Sequence, residues 1–332
     1  MKRRNSVIFA IAVTTMFVAS CLSSAAQTSY STDDFQQDLA EAKSGDVNAQ
    51  LRVGLAYNRG LVTRGSYSQA WHWLQAAAAG GSADAQAWVG SMYFLGHGVP
   101  QDLDKAYEIE SRLAAQNVPT ASLYLGLMYM TGRGVTQDST KAANLFRQAQ
   151  EAGDARAIDM LGVLYQRGEG VPHDNGLAAY FYQRAAARGD DWGETHLGDL
   201  YLKGLAGPRD YATAFRNYTA AAQQGNFTAQ QRIGYMYEKG KGVSKDYQQA
   251  LKWYTMSARR SYSTAQLSLA AMYEHGRGVP QDSVTAYAWT LLAANNGDPA
   301  ATPRLEKLRQ SLSDDQIAQA RTMAGTLTKA AQ

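Results

Sequence analysis

A single period governs this chain. Gly54, Gly90, Gly126, Gly162, Gly198 and Gly234 stand 36 residues apart (90 − 54), and Ala270 closes the series. Tyrosine follows at one fixed offset: Tyr57, Tyr93, Tyr129, Tyr165, Tyr201, Tyr237 and Tyr273. A second glycine follows at another, from Gly60 through Gly96, Gly132, Gly168, Gly204 and Gly240 to Gly276. An alanine column keeps the same phase at Ala70, Ala106, Ala142, Ala178, Ala214, Ala250 and Ala286. Columns that hold phase over seven units without an insertion mark a solenoid, in which each unit buries its apolar face against its neighbours. Such a geometry provides surface area, not a deep pocket.

Each unit reads as two helices. In the second, Ala85, Val89, Met92, Tyr93 and Gly96 recur at helical spacing on one face, which defines a helix A. Ala106, Ile109 and Leu113 define a helix B. The turn between them is GHGVPQD, with GRGVTQD, GEGVPHD, GKGVSKD and GRGVPQD as its other versions. Its first glycine suits a left-handed helix end, its proline a segment that cannot continue the helix, and its aspartate an N-cap. The predicted caps of helix B are Asp102, Asp138, Asp174, Asp210, Asp246 and Asp282. Helix B ends near Gly81, Gly153, Gly189, Gly225 and Gly297, with Asn117 and Ser261 as substitutes. Two turns depart, GLVTRGS (60–66) and GLAGPRD (204–210), and distortion is expected there. A glycine inside helix A costs about 1 kcal/mol relative to alanine. Its recurrence implies a close approach of helix A to helix B and to the next unit.

The skeleton A-x-x-x-L-G-x-x-Y-x-x-G-x-G-V-x-x-D-x-x-x-A-x-x-[WYF], from about Ser31 to Thr302, resembles the Sel1-like repeat, a relative of the tetratricopeptide repeat. The resemblance implies an all-α fold, a right-handed α-solenoid of about seven antiparallel helix pairs. It also implies a non-enzymatic scaffold or adaptor. Proteins of this kind that carry a lipid act in envelope assembly, polysaccharide export and host interaction. A subset staples each repeat with a cysteine pair; this chain has one cysteine, so penicillin-binding or β-lactamase roles are not carried over.

The ends read differently. Lys2, Arg3 and Arg4 precede an apolar run from Val7 to Val18, too short to span a bilayer comfortably, which marks residues 1–20 as a signal peptide. Val18-Ala19-Ser20-Cys21 resembles a lipobox, which implies lipidation of Cys21, the chain's one cysteine. Leu22 after it implies an outer-membrane destination facing the periplasm. The alternative is ordinary secretion after Ser24-Ala25-Ala26, giving a soluble periplasmic or secreted protein. Residues 21–34 are expected to form a lipidated tether, 35–302 the repeat array and 303–332 a C-terminal cap. Ser313 to Gln316 reads as a capping box opening a helix through Ile317, Ala320, Met323, Ala324 and Leu327.

Composition and motifs exclude several chemistries. Without the three basic residues of the leader, 29 of the 32 remain against 29 acidic ones, and nothing implies nucleic acid. The histidines, His72, His97, His173, His196 and His275, do not cluster by spacing. No H-E-x-x-H or G-x-S-x-G occurs, and a lipidated Cys21 leaves no thiol nucleophile. Gly234 to Lys241 resembles a phosphate loop only superficially: it has one residue too many, and Gly242 takes the hydroxyl position. No catalytic residue, cofactor or metal is therefore expected. Trp73, Trp253 and Trp289 share a column with Ile109, Leu145 and Phe181 and are expected in the core. The repeated tyrosines are expected to pack, each with a hydroxyl partner.

One stripe of helix A escapes the repeat. It runs Arg52, Trp88, Tyr124, Met160, His196, Arg232 and Ser268, flanked by Arg156, Trp192, Asp199 and Tyr235. Its identities change from unit to unit, and Trp, Tyr, Arg and Met are the side chains of binding surfaces. Helix A lines the concave side of tetratricopeptide-like solenoids. The stripe is thus the expected seat for another envelope protein or a segment of one. Two alternatives stand beside this: the aromatics pack between units, or they stack on the sugars of peptidoglycan or another polysaccharide.

Overall fold

The computed structural model describes residues 31–62 and 66–329. The expected signal peptide, Cys21 and residues 21–30 of the tether lie outside them. Among the described residues there are seventeen helices and no strand, so the fold is all-α. None of these helices is long and apolar enough to cross a membrane. The chain divides into two compact units at Leu200/Tyr201.

In the first unit a lone helix, α1 (Thr32–Lys43), precedes the A–B pairs α2 (Val47–Asn58) and α3 (Tyr67–Ala79), α4 (Ala83–Leu95) and α5 (Leu103–Ala114), α6 (Pro119–Thr131) and α7 (Ser139–Glu151), and α8 (Ala155–Arg167) and α9 (Asn175–Ala186). It ends in α10 (Asp191–Lys203), whose last three residues belong to the second unit. That unit continues with α11 (Tyr211–Gln223), the pairs α12 (Phe227–Lys239) and α13 (Tyr247–Ala258), and α14 (Ser263–His275) and α15 (Ser283–Asn295), then α16 (Ala301–Arg309) and α17 (Asp314–Lys329).

The turn chemistry sets these boundaries. Each of the six cap aspartates accepts a backbone N–H of its own helix. Gly96, Gly132, Gly168, Gly240 and Gly276 end helix A in the left-handed region. After helix B, Asn117 (φ 62°) and Ser261 (φ 60°) adopt the conformation that glycine takes in the other repeats. The fifth turn departs at Gly207 (φ 139°), yet Asp210 still caps α11. Ser66 makes no side-chain cap to α3.

The glycine inside helix A has a specific neighbour. A Cβ on Gly54, Gly90, Gly126, Gly162 or Gly234 would lie 2.5–2.7 Å from Leu74, Glu110, Phe146, Tyr182 or Tyr254. These partners, 20 residues on (74 − 54), are at most 1% exposed. Where Ala270 replaces glycine, the facing residue shrinks to the buried Thr290. This corrects the expected core column by one position. Trp73, Ile109, Leu145, Phe181 and Trp253 are half-buried, and only Trp289 of that column is buried. A turn of about 100° per residue directs the next position, not this one, at helix A.

Both ends are closed by helices. Residues 32–34, placed in the tether by the sequence, form the first turn of α1, and Ser31 and Asp34 build its capping box. This helix takes the place of a helix B: Phe35 meets Tyr57 edge-on at 5.5 Å as Trp71 meets Tyr93 at 5.2 Å. At the other end, Pro303 falls in the first turn of α16, where a missing N–H costs nothing. Ser313 and Gln316 exchange the reciprocal cap bonds of α17. Ile317, Ala320 and Ala324 then bury against Ala286, Tyr287 and Leu308.

Candidate functional site

The aromatic members of the helix-A stripe are not an open surface. Trp88 is 5% exposed, Tyr124 1%, Met160 3% and Trp192 5%. The cause is the burial of helix A on nearly every side: α6 is buried at ten of its thirteen positions. Trp88 and Tyr124 meet edge-on at 6.0 Å, and Phe94 closes on Tyr124 at 6.4 Å. These rings belong to two successive repeats, Trp88 and Phe94 on α4 and Tyr124 on α6, and join them. Arg52 is held as well, since its guanidinium donates to Asp38 Oδ1 at 2.8 and 2.6 Å. In the second unit, Arg232 and Tyr235 are half-buried. Lys241 Nζ donates to the Tyr235 hydroxyl at 2.9 Å.

Charged groups rest on the rings. The Arg156 guanidinium lies 5.1 Å from the centre of Trp88 and 5.9 Å from that of Tyr124. Asp154, the N-cap of α8, fixes it with two bonds at 2.7 and 3.2 Å. A guanidinium over an indole face is attracted by the ring's quadrupole, more so when partly desolvated. One repeat further, on α10, His196 Nδ1 is 2.8 Å from Asp159 Oδ1 of α8, and its ring lies 5.0 Å from Tyr182 and 5.8 Å from Trp192. Parts of this layer remain open: the Arg156 side chain is 19% exposed and that of His196 13%.

Beneath it are carboxyls that the sequence did not single out. Asp159, Asp190 and Asp191 are all buried. Asp159 Oδ2 has no hydrogen-bond partner. Burial, then the charges of Asp159 and Asp191, push the Asp190 carboxyl well above its ordinary value, against the pull of the Gly193 N–H that it accepts at 2.7 Å. The readable signal was column identity: Asp159 stands where other repeats carry Ala87 and Leu123. The same comparison marks Glu110, an acid in the column of Leu74, Phe146 and Tyr182. Among the described residues no three His, Cys, Asp or Glu side chains are grouped to hold a metal ion. The arrangement offers hydrogen bonds and charge at the rim of a packed aromatic layer, which is the equipment of recognition.

The family model described as the Sel1 repeat matches residues 47–82, 83–117, 119–154, 155–190, 193–226, 228–262 and 263–298. A Sel1 repeat protein from Oxalobacter formigenes is 32% identical, with a TM-score of 0.57 over 83% of this chain and 80% of that one. A protective antigen present in uropathogenic Escherichia coli strains, displaying an SLR fold, is 30% identical with a TM-score of 0.54. That match covers 88% of this chain and 64% of the antigen, so the chain spans just under two thirds of the antigen's length. Comparison with curated proteins gives no match.

Proposed function

Because the chain belongs to the Sel1 repeat family, whose members generally mediate protein–protein interaction on a non-catalytic scaffold, we propose that it is an adaptor that holds another envelope protein along helix A. In this reading Cys21 carries lipid that keeps the protein at the outer membrane, facing the periplasm. The observation behind it is the open rim of the stripe. Arg156 and His196, with Glu194 and Asp199 half-buried beside them on α10, sit over a bed of buried rings. The buried rings hold these groups in place, and the charged, hydrogen-bonding rim is what a protein partner meets. Sugar stacking needs open ring faces, and Trp88, Tyr124 and Trp192 do not offer them. The protein partner therefore stands ahead of the glycan.

The test places a photocrosslinking residue at Glu194, Asp199 or the exposed Glu108 of the full chain in its native cell, with Cys21 intact or as Cys21→Ser. Capture of one envelope protein from positions 194 and 199 but not 108, lost in Arg156→Ala and in Cys21→Ser, is expected. Equal capture from position 108, or none from helix A, removes the binding surface. Capture unchanged in Cys21→Ser removes the anchor.

A further inference from the structure

Glu110 lies within α5 and is 0% exposed. Neither of its carboxyl oxygens has a hydrogen-bond partner. Gly90 of α4 makes the space, since a Cβ there would lie 2.7 Å from Glu110 Oε1. Two of the repeats that place a tyrosine at this point, the fourth and the sixth, supply an acceptor four residues beyond their glycine. Tyr182 donates to Gln166 at 2.8 Å and Tyr254 to Glu238 at 2.9 Å. The second repeat has Phe94 in that place. An acid is thus sealed against hydrocarbon, where an unpaired carboxylate is far costlier than the neutral group.

No neighbouring charge relieves it. Asp84 of α4 and Asp104, Lys105, Glu108 and Arg112 of α5 are exposed, and α6 carries no charged residue. The other ionisable groups near by have their own contacts. Tyr93 lies under Lys105, Tyr129 pairs with Tyr107, Tyr124 packs against Trp88, His97 stacks on Tyr67, and Asp102 caps α5. Burial alone pushes the Glu110 carboxyl well above its ordinary value of 4.5.

We propose that Glu110 is a proton-linked latch: neutral, it lets α4 close on α5, and its ionisation releases the second repeat. Opening there frees Trp88 and Phe94, both on α4, from Tyr124 and so uncovers the aromatic bed of the stripe. The latch does not depend on the identity or existence of a partner.

The sign follows from linkage. Above pH 4.5 the opened repeat gives up the proton and the closed repeat keeps it. Opening is therefore favoured by up to about tenfold per pH unit until the closed-state pKa is passed, and below 4.5 the group adds no pH dependence. Carbon-13 NMR of the side-chain carboxyls in the full chain is the direct test. Glu110 is expected to keep its proton at pH values well above 4.5; loss of the proton near 4.5 overturns the latch. Hydrogen exchange, corrected for intrinsic rate, reads the release. Opening of residues 83–114 is expected to grow with pH in the wild type and to level off in Glu110→Gln, while residues 263–295, whose shifted carboxyls Glu274 and Asp282 lie below their ordinary values, stay protected. Parallel behaviour of wild type and Glu110→Gln, or an equal rise in both segments, overturns it. The NMR arm needs no variant to fold.

Discussion

In the fourth repeat Gly162 faces the ring of Tyr182, whose hydroxyl reaches Gln166 at 2.8 Å; in the second, Gly90 faces the carboxyl of Glu110, which reaches nothing. The surroundings match. Both repeats end helix A in left-handed glycine, at Gly96 and Gly168, and start helix B on an aspartate cap, at Asp102 and Asp174. The backbone frame thus follows from caps and glycines, and it accepts an aromatic ring or an acid in the sealed position. What the sealed side chain changes is the energy of closing the repeat and its dependence on solvent.

Tyr124 of α6 joins the two repeats, with Trp88 from one side and Arg156 from the other. Removing the rings breaks the comparison at its hinge. Truncating one buried large aromatic costs about 3–5 kcal/mol, and neighbours in contact do not add simply. Trp88→Ala with Tyr124→Ala is expected to cost about 5 kcal/mol or more and to lose much of the helical signal in a urea melt followed by circular dichroism. A melting curve close to that of the wild type would mean that these rings are surface after all.

That outcome bears on what the sequence discloses. The glycine, tyrosine and alanine columns, the six aspartate caps and the substitutes Asn117 and Ser261 were all readable, because each answers a local backbone requirement that any copy must meet. The burial of the stripe was not. A helical stripe that varies between copies looks free only if helix A has one packed face, and α6 is enclosed nearly all round. Its own sequence, LYLGLMYM, is apolar on every side, which is the mark of an enclosed helix. The core column was missed by one position because both adjacent columns are rich in large apolar residues. Only the facing glycine, 20 residues earlier, separates Leu74 from Trp73.

The glycine column allows a sharper test between the two repeats. Helix propensity alone makes Gly→Ala favourable by about 1 kcal/mol. At Gly162 the new Cβ would lie 2.5 Å from the Tyr182 ring, which is fully buried. Overpacking of this kind costs about 1–3 kcal/mol, so Gly162→Ala is expected to destabilise. At Gly90 the nearest atoms are the end of the Glu110 carboxyl, at 2.7 Å and 2.9 Å, with Ile109 Cγ2 at 3.0 Å, and side-chain ends shift at lower cost than a buried ring. Gly90→Ala is therefore expected to cost less, under about 1 kcal/mol. The native pair Ala270 and Thr290 shows the same trade settled with a smaller partner. Thermal melts of the two variants decide it. A stabilised Gly162→Ala, or a larger loss at Gly90, would separate the glycine column from the packing assigned to it.

The smallest effect isolates the sealed hydroxyl. Tyr182 donates to a neutral amide, so Tyr182→Phe is expected to cost about 1 kcal/mol at any pH. Tyr254 donates to Glu238, which also pairs with Lys239 at 2.8 Å and Arg277 at 3.1 Å. Burial pushes the Glu238 carboxyl up, but the bonds from Lys239 and Tyr254 and the charges of Lys239 and Arg277 outweigh it, leaving the group below its ordinary 4.5. A depressed carboxyl stabilises above its unfolded pKa and loses that contribution as pH falls through the folded one. Tyr254→Phe is thus expected to cost about 1.5 kcal/mol near neutral pH and less in acid, as Glu238 protonates and its bond to Tyr254 weakens in the wild type. Urea melts of both variants at neutral pH and near pH 3 separate the cases. The same pH trend in Tyr182→Phe, or none in Tyr254→Phe, would show that the residue facing the hydroxyl does not set how a sealed repeat responds to protons.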